Sequence, residues 1–183
     1  MPSIRLTLLA GAIAIATVSG AAIAANPMVG GAAMYPTKTI VDNAVNSKDH
    51  TTLVAAVKAA DLVGTLSGPG PFTVFAPTNA AFAKLPAGTV DTLVKPENKA
   101  MLTGILTYHV VPGRITAQMI AANARAHHGT ATYATVQGEN LTFSRSGTGW
   151  MIMDGKGHHG MITIANVMQS NGVILVIDTV MMP

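Results

Sequence analysis

The residues best equipped for chemistry are histidines, and four of the six fall in two adjacent pairs, His127-His128 and His158-His159. Imidazole suits copper, nickel or zinc, and the thioethers of Met151, Met153 and Met161 near the second pair would favour Cu(I). Neighbouring residues on a strand point to opposite faces, however, so one pair rarely gives two ligands to one ion. Both pairs also sit beside glycine in expected loops, with no carboxylate suitably spaced next to them. The methionines are more simply core filler in a chain poor in aromatics. No metal site is expected, and His127, His128, His158 and His159 are the candidates that would have to form one.

Tyr108-His109 is a pair of another kind. Each ring has an apolar body that can be buried and a polar tip that can be hydrogen-bonded, which suits a helix-to-strand corner. Patterns for catalysis are missing: no Gly-x-Ser-x-Gly elbow, no His-Glu-x-x-His and no glycine-rich helix start that could cradle phosphate. Gly68 and Gly70 precede a proline and a strand, so they mark a turn. Asp178 is a lone carboxylate beside an apolar run, expected to bond backbone rather than act as a base. General acid–base work by paired carboxylates needs two together, and the eight acids are dispersed. The expectation is a protein that is not an enzyme and carries no cofactor.

Composition narrows the class further. The 183 residues allow one domain plus processing segments, and with 49% hydrophobic and 10% charged residues there is ample apolar surface to fold. The net charge is +3 with the basic residues scattered, whereas phosphate tracking needs several cations on one face. Nucleic acid is therefore not an expected partner. There is no cysteine, which excludes disulfides, thiol nucleophiles, thiolate metal sites and a bacterial lipoprotein anchor. Residues 1–24 read as a secretory signal peptide. Arg5 is its positive start, Leu6 to Val18 its apolar stretch and Ala22-Ile23-Ala24 its cleavage site, so the mature chain begins at Ala25. No other stretch is apolar for long enough to cross a bilayer. A secreted or periplasmic product with no stable membrane insertion after cleavage follows.

The elements that must position these residues divide by period. Residues 25–38 contain Gly, Ala and Pro without an apolar repeat and read as a flexible linker. Short helical faces follow at Ile40 to Val45 and His50 to Leu62. Ser67 to Pro71 breaks both helix and ladder. Phe72 to Ala76 then alternates as a strand, Pro77 stops it, and Thr78 with Asn79 can cap a short helix through Phe82. Further helices are expected at Thr89 to Val94, from Pro96 to about Thr107, and at Ile115 to Ala122. Tyr108-His109-Val110-Val111 reads as a strand closed by Pro112-Gly113. Beyond it the period is two: Tyr133 to Val136, Leu141 to Arg145, Trp150 to Met153 and Met161 to Met168 are strands. Asn171-Gly172 is a strong hairpin dipeptide, and Val173 to Ile177, apolar on both faces, is a central strand. Helices grouped early and a sheet late make a single α+β domain.

Three motifs in order give the chain a resemblance. Residues 39–183 are similar to one fasciclin domain. Its first signature is matched by Phe72, Thr73, Val74, Phe75, Ala76, Pro77, Thr78, Asn79 and Phe82, and its Tyr-His motif by Tyr108 and His109. The second signature is matched by Asn171, Gly172, Val173, Ile174, Val176, Ile177 and Asp178. The resemblance implies an antiparallel β-sandwich or wedge with several short helices packed on it, in which the signature residues are structural. It also implies a secreted or surface protein concerned with cell adhesion or with contacts to protein or extracellular matrix. An interaction motif would fall on Leu106, Tyr108, His109, Val110 and Val111. Leu175 stands where the family commonly has a histidine, so a role resting on that imidazole does not carry over. Met181-Met182 replaces a leucine pair at similar volume, and His50 stands where a bulky apolar side chain is frequent.

The expected function is thus an exported interaction module, its partner a cell-surface, matrix or envelope protein or polysaccharide. A carrier of an apolar ligand such as a carotenoid is the alternative that the family and the methionine-rich Trp150 to Met168 stretch allow. A periplasmic copper- or zinc-binding protein is the second.

Overall fold

The computed structural model describes residues 26–183; the expected signal peptide lies outside the described residues. The described residues open on a small hairpin, β1 (Met28–Val29) and β2 (Ala32–Ala33), turned by Gly30 and Gly31 at φ of 57° and 77°. Left-handed φ at both turn positions is what a two-residue hairpin of this hand requires, and glycine adopts it without a Cβ clash. The hairpin is docked: Val29 and Met34 are buried in the core, and the Gly30 carbonyl accepts from the Lys48 N–H at 3.1 Å. The stretch expected as a flexible linker therefore contributes to the packed domain from Met28 onward.

Short helices follow: α1 (Ile40–Ala44), a 3-10 turn at Lys48–His50, α2 (Thr51–Ala59) and α3 (Val63–Ser67). Thr39 and Asp42 close a reciprocal capping box on α1. β3 (Phe72–Pro77) leads into α4 (Asn79–Ala83), capped by Thr78, whose hydroxyl accepts from the Ala81 N–H at 3.2 Å. Next come α5 (Thr89–Leu93), a 3-10 turn at Pro96–Asn98, α6 (Lys99–Tyr108), β4 (Val110–Pro112) and α7 (Ala117–Ala126). The chain finishes in β5 (Thr130–Ala134), β6 (Asn140–Ser146), β7 (Gly149–Met153), β8 (His159–Gln169) and β9 (Gly172–Ile177). Tyr108 is thus the last residue of α6 and His109 its C-cap, rather than the opening of a strand.

Among the described residues, seven strands join in the order β4-β3-β9-β8-β7-β6-β5. All neighbours are antiparallel except β3 and β9, which run parallel from Phe72↔Gly172 to Pro77↔Ile177. The expected all-antiparallel sheet is therefore mixed. β8 shifts register twice against β9, between Ile162 and Ile164 and between Ile164 and Val167, with Asn166 at φ 59°. Extra residues of this kind bend a strand and increase its twist, and the sheet folds over on itself there. The far ends come close to closing: the Val136 N–H donates to the Val110 carbonyl at 2.8 Å.

The fold encloses two apolar cores, and the central strands serve both. Along β9, Ile174 and Val176 face the helical side with Val74, Ala76 and Phe82. Val173, Leu175 and Ile177 face the inside of the folded sheet with Phe75, Phe143 and Trp150. Successive strand side chains alternate faces, so a strand buried on both is apolar at every position. Leu175 is fully buried in the second core, where an aliphatic side chain leaves no polar atom to satisfy.

Candidate functional site

The Tyr108-His109 corner is buried and all its polar atoms are partnered. The His109 N–H donates to the Leu106 carbonyl, and its own carbonyl accepts from Phe75, which ties the end of α6 to β3. On the ring, Nδ1 lies 2.8 Å from the Ile105 carbonyl oxygen and must donate to it. Nε2 is therefore the acceptor, and it takes the Met181 N–H at 3.0 Å. Both bonds need the neutral ring. Burial works the same way, lowering the imidazole from its ordinary range to about 4. Tyr108, on the other side of the corner, donates its hydroxyl to the Asn140 carbonyl at 3.0 Å and accepts from the Gly155 N–H at 3.1 Å. Burial raises the phenol.

Gly155 belongs to the β7–β8 loop, whose centre is Asp154. One carboxylate oxygen accepts from the Lys156 N–H at 2.9 Å and the His158 N–H at 2.8 Å. The other accepts from the His158 ring at 2.8 Å and from the Met182 N–H at 3.0 Å. Burial alone would raise the Asp154 carboxyl; the donors from Met182, His158 and Lys156 outweigh it and hold the group below the usual carboxylate range. His158 thus does have a suitably spaced carboxylate beside it, contrary to the sequence expectation. The signal is Asp154-Gly155-Lys156-Gly157-His158, in which an Asp followed by glycines folds back on its own side chain. Together His109 and Asp154 clamp two consecutive N–H groups of the C-terminal segment. The same segment buries Val180 in the first core and Met181 in the second.

The other candidates are dispersed around the fold. His127 caps the end of α7, its Nδ1 bonded to the Asn123 carbonyl at 2.9 Å, and His128 sits at φ 55° in the next turn. His159 opens β8 opposite Met153. Among the described residues no three His, Asp or Glu side chains come together as a metal-binding group. His50 is buried with Nδ1 on the Ser47 hydroxyl at 2.8 Å and Nε2 without a partner, and burial lowers its pKa. Asn79 reaches from α4 to the start of α2, accepting from the Thr52 N–H and donating to the Lys48 carbonyl and Thr51 hydroxyl. Asn171 accepts from the Ile40 N–H at 3.0 Å and donates to the Leu66 and Gly68 carbonyls at 2.8 and 3.0 Å. Asp178 accepts from the Met161 N–H at 2.7 Å and pairs with Lys84 at 3.5 Å. Leu106, Tyr108, His109, Val110 and Val111, the expected interaction motif, are all buried.

These geometries hold chain segments together; the ring nitrogens of His109 and both oxygens of Asp154 are committed to partners within the fold. Beside them, one open groove of about 760 Å³ runs between α4, α6, the β7–β8 loop and the C-terminal segment.

A mixed, folded-over sheet with short helices on one side and a Tyr-His corner clamping the C-terminal segment defines a known class. The fasciclin domain model matches residues 48–183, and the chain belongs to the fasciclin family. It is 51% identical over 158 residues to Protein sll1483 of Synechocystis, spanning 85% of this chain and 79% of that protein. Similarity extends to the Immunogenic protein MPB70 of Mycobacterium bovis, 36% identical over 76% of this chain and 66% of the relative. The Cell surface glycolipoprotein MPB83 of the same species is 37% identical over 85% of this chain and 64% of its own length. Among solved structures, the domain pair of the insect cell adhesion molecule fasciclin I superposes with a TM-score of 0.70 at 16% identity, over 80% of this chain. The chain spans about half, 51%, of that pair. No helix among the described residues is long and apolar enough to cross a membrane.

Proposed function

We propose that the protein is an exported, non-catalytic fasciclin module that binds a protein or polysaccharide partner at the cell surface or in the periplasm. The observation that carries this reading is the complete internal use of the polar atoms at Tyr108, His109 and Asp154. A base or nucleophile must reach a substrate, and these groups reach only backbone and the His158 ring. Family membership supports the rest: MPB83 is named as a cell-surface protein and fasciclin I as a cell adhesion molecule. In this reading Leu106, Tyr108, His109, Val110 and Val111 hold the fold, and the partner meets the surface around them.

Fractionation of the native host, with N-terminal sequencing and cross-linking of the purified protein to isolated envelope, tests the proposal. Protein recovered outside the cytoplasm with Ala25 first, and saturable cross-linking to one envelope component, are expected. Retention in the cytoplasm, or cross-linking that never saturates, would overturn it. An absorption spectrum and elemental analysis of the same preparation check the competing carrier and metal readings.

A further inference from the structure

The groove beside the Tyr-His corner is built differently from the rest of the surface. One wall is α6, which turns Met101 and Gly104 toward it; the other is the end of α4, with Leu85. Met182 of the C-terminal segment contributes to the floor. The groove is open on one side and its volume of about 760 Å³ leaves room for a small molecule.

Met101 is 60% exposed, a large apolar side chain held open to water on a helix that buries Leu102, Ile105, Leu106 and Tyr108. Gly104 is odder. It lies inside α6, where glycine is less favourable than alanine, yet it has no left-handed φ and a Cβ there would meet nothing within 4 Å. Neither backbone nor packing calls for glycine. What its missing side chain does is widen the groove and bare a strip of helix backbone.

The polar part of the lining carries two cationic side chains. Lys84 and Lys156 line the groove together with His158. Of the carboxylates behind them, Asp154 is saturated by its four donors, and Asp178 pairs with Lys84 while accepting from Met161. Lys156 has no carboxylate within ion-pair distance among the described residues. An apolar trough with an ammonium at its rim that makes no ion pair matches a molecule with an apolar chain and one anionic head.

We propose that this groove binds a free single-chain aliphatic carboxylate. The chain lies along Leu85, Met101, Met182 and the Gly104 gap, and the carboxylate faces Lys156 and Lys84. This is independent of the partner binding proposed above, so either can fail alone.

Titration of the mature protein with cis-parinaric acid, followed by displacement with palmitate or hexadecanol, is the test. Saturable fluorescence enhancement is expected, with palmitate displacing the probe at least about tenfold more effectively than hexadecanol. Gly104→Leu fills the gap with a better helix former and should weaken probe binding at least about tenfold while the thermal melt stays cooperative. Met101→Glu changes an exposed position and should do the same by charge, which keeps the test decisive if the first variant misfolds. Lys156→Ala should weaken palmitate several-fold and leave hexadecanol unchanged. The proposal is overturned by any of four results. These are no saturable binding, equal displacement by the alcohol, probe binding unchanged in both folded groove variants, or groove variants that lose only envelope cross-linking or sedimentation with phosphatidylglycerol vesicles.

Discussion

His109 is an imidazole kept neutral by its place in the fold, and this has a measurable thermodynamic signature. In the unfolded chain the ring takes up a proton near pH 6.5; in the fold, burial holds protonation off until about 4. Between those values the unfolded state binds more protons. Stability is therefore full above about pH 6.5 and falls as the pH drops toward 4, by about 3 kcal/mol in all. A proton on Nε2 also removes the acceptor for Met181, so the C-terminal segment should loosen over the same window. His50, also lowered by burial, contributes with the same sign. Urea midpoints measured at pH 7 and pH 4.5 should differ strongly for the natural chain. For His109→Gln the stability at pH 7 should be lower by about 1–3 kcal/mol, because an amide on a longer, flexible side chain does not hold the ring's fixed geometry to both Ile105 and Met181. The residual pH slope should be shallower and belong to His50. An unchanged slope in the variant would remove His109 from this role.

At the scale of elements, the seam between β3 and β9 decides the topology. Ser170 and Asn171 form the turn between β8 and β9, and neither Asn171 nor Gly172 has a positive φ. The Asn-Gly pair is thus not serving as a primed hairpin turn. Gly172 is needed for approach: a Cβ there would overlap the Phe72 carbonyl and crowd Ile40. Asn171 meanwhile joins the start of α1 to the end of α3. Gly172→Ala should cost about 3 kcal/mol, since backbone on the neighbouring strand cannot move aside as a flexible side chain would. Gly104→Ala, with open space above it, should gain roughly 0.5–1 kcal/mol. Opposite shifts in the thermal midpoints of these two glycine variants are the expected result, and equal shifts would refute the distinction. The same seam marks what the sequence made legible. The Thr78 cap, the strand before Pro77, the strands after residue 130 and the burial of both β9 faces all follow from local period and capping chemistry. The parallel pairing does not, because strand direction across nearly a hundred residues leaves no trace in alternation. Tyr108 reads equally well as strand by side-chain type; bonds to Asn140 and Gly155 hold it at the end of a helix. Val63-Gly64-Thr65 is a weak helix sequence, and α3 is held by Asn171 from the far end of the chain. The Asp154 loop leaves no periodic signal, because its carboxylate gathers N–H groups from its own turn and from Met182 far along the chain.

For the whole molecule, the C-terminal segment is the piece that couples the two cores. Val180 belongs to the helical core and Met181 to the core inside the sheet, while the N–H groups of Met181 and Met182 are held by His109 and Asp154. Met181 is fully buried, so Met181→Ala removes packing atoms from a site that can collapse little and should cost about 2–5 kcal/mol. Met182 is half-buried at the groove; Met182→Ala should cost less than about 1 kcal/mol, because its N–H bond to Asp154 does not depend on the side chain. Both variants keep their N–H bonds, so the difference between the two neighbours reports packing alone. Combining Met181→Ala with His109→Gln should cost less than the sum of the single changes. Each loosens the same segment, and residues that share a contact do not add. Chemical denaturation of the two single variants and the double variant reads the coupling directly. Strict additivity would mean that the segment contributes to each core separately and does not join them.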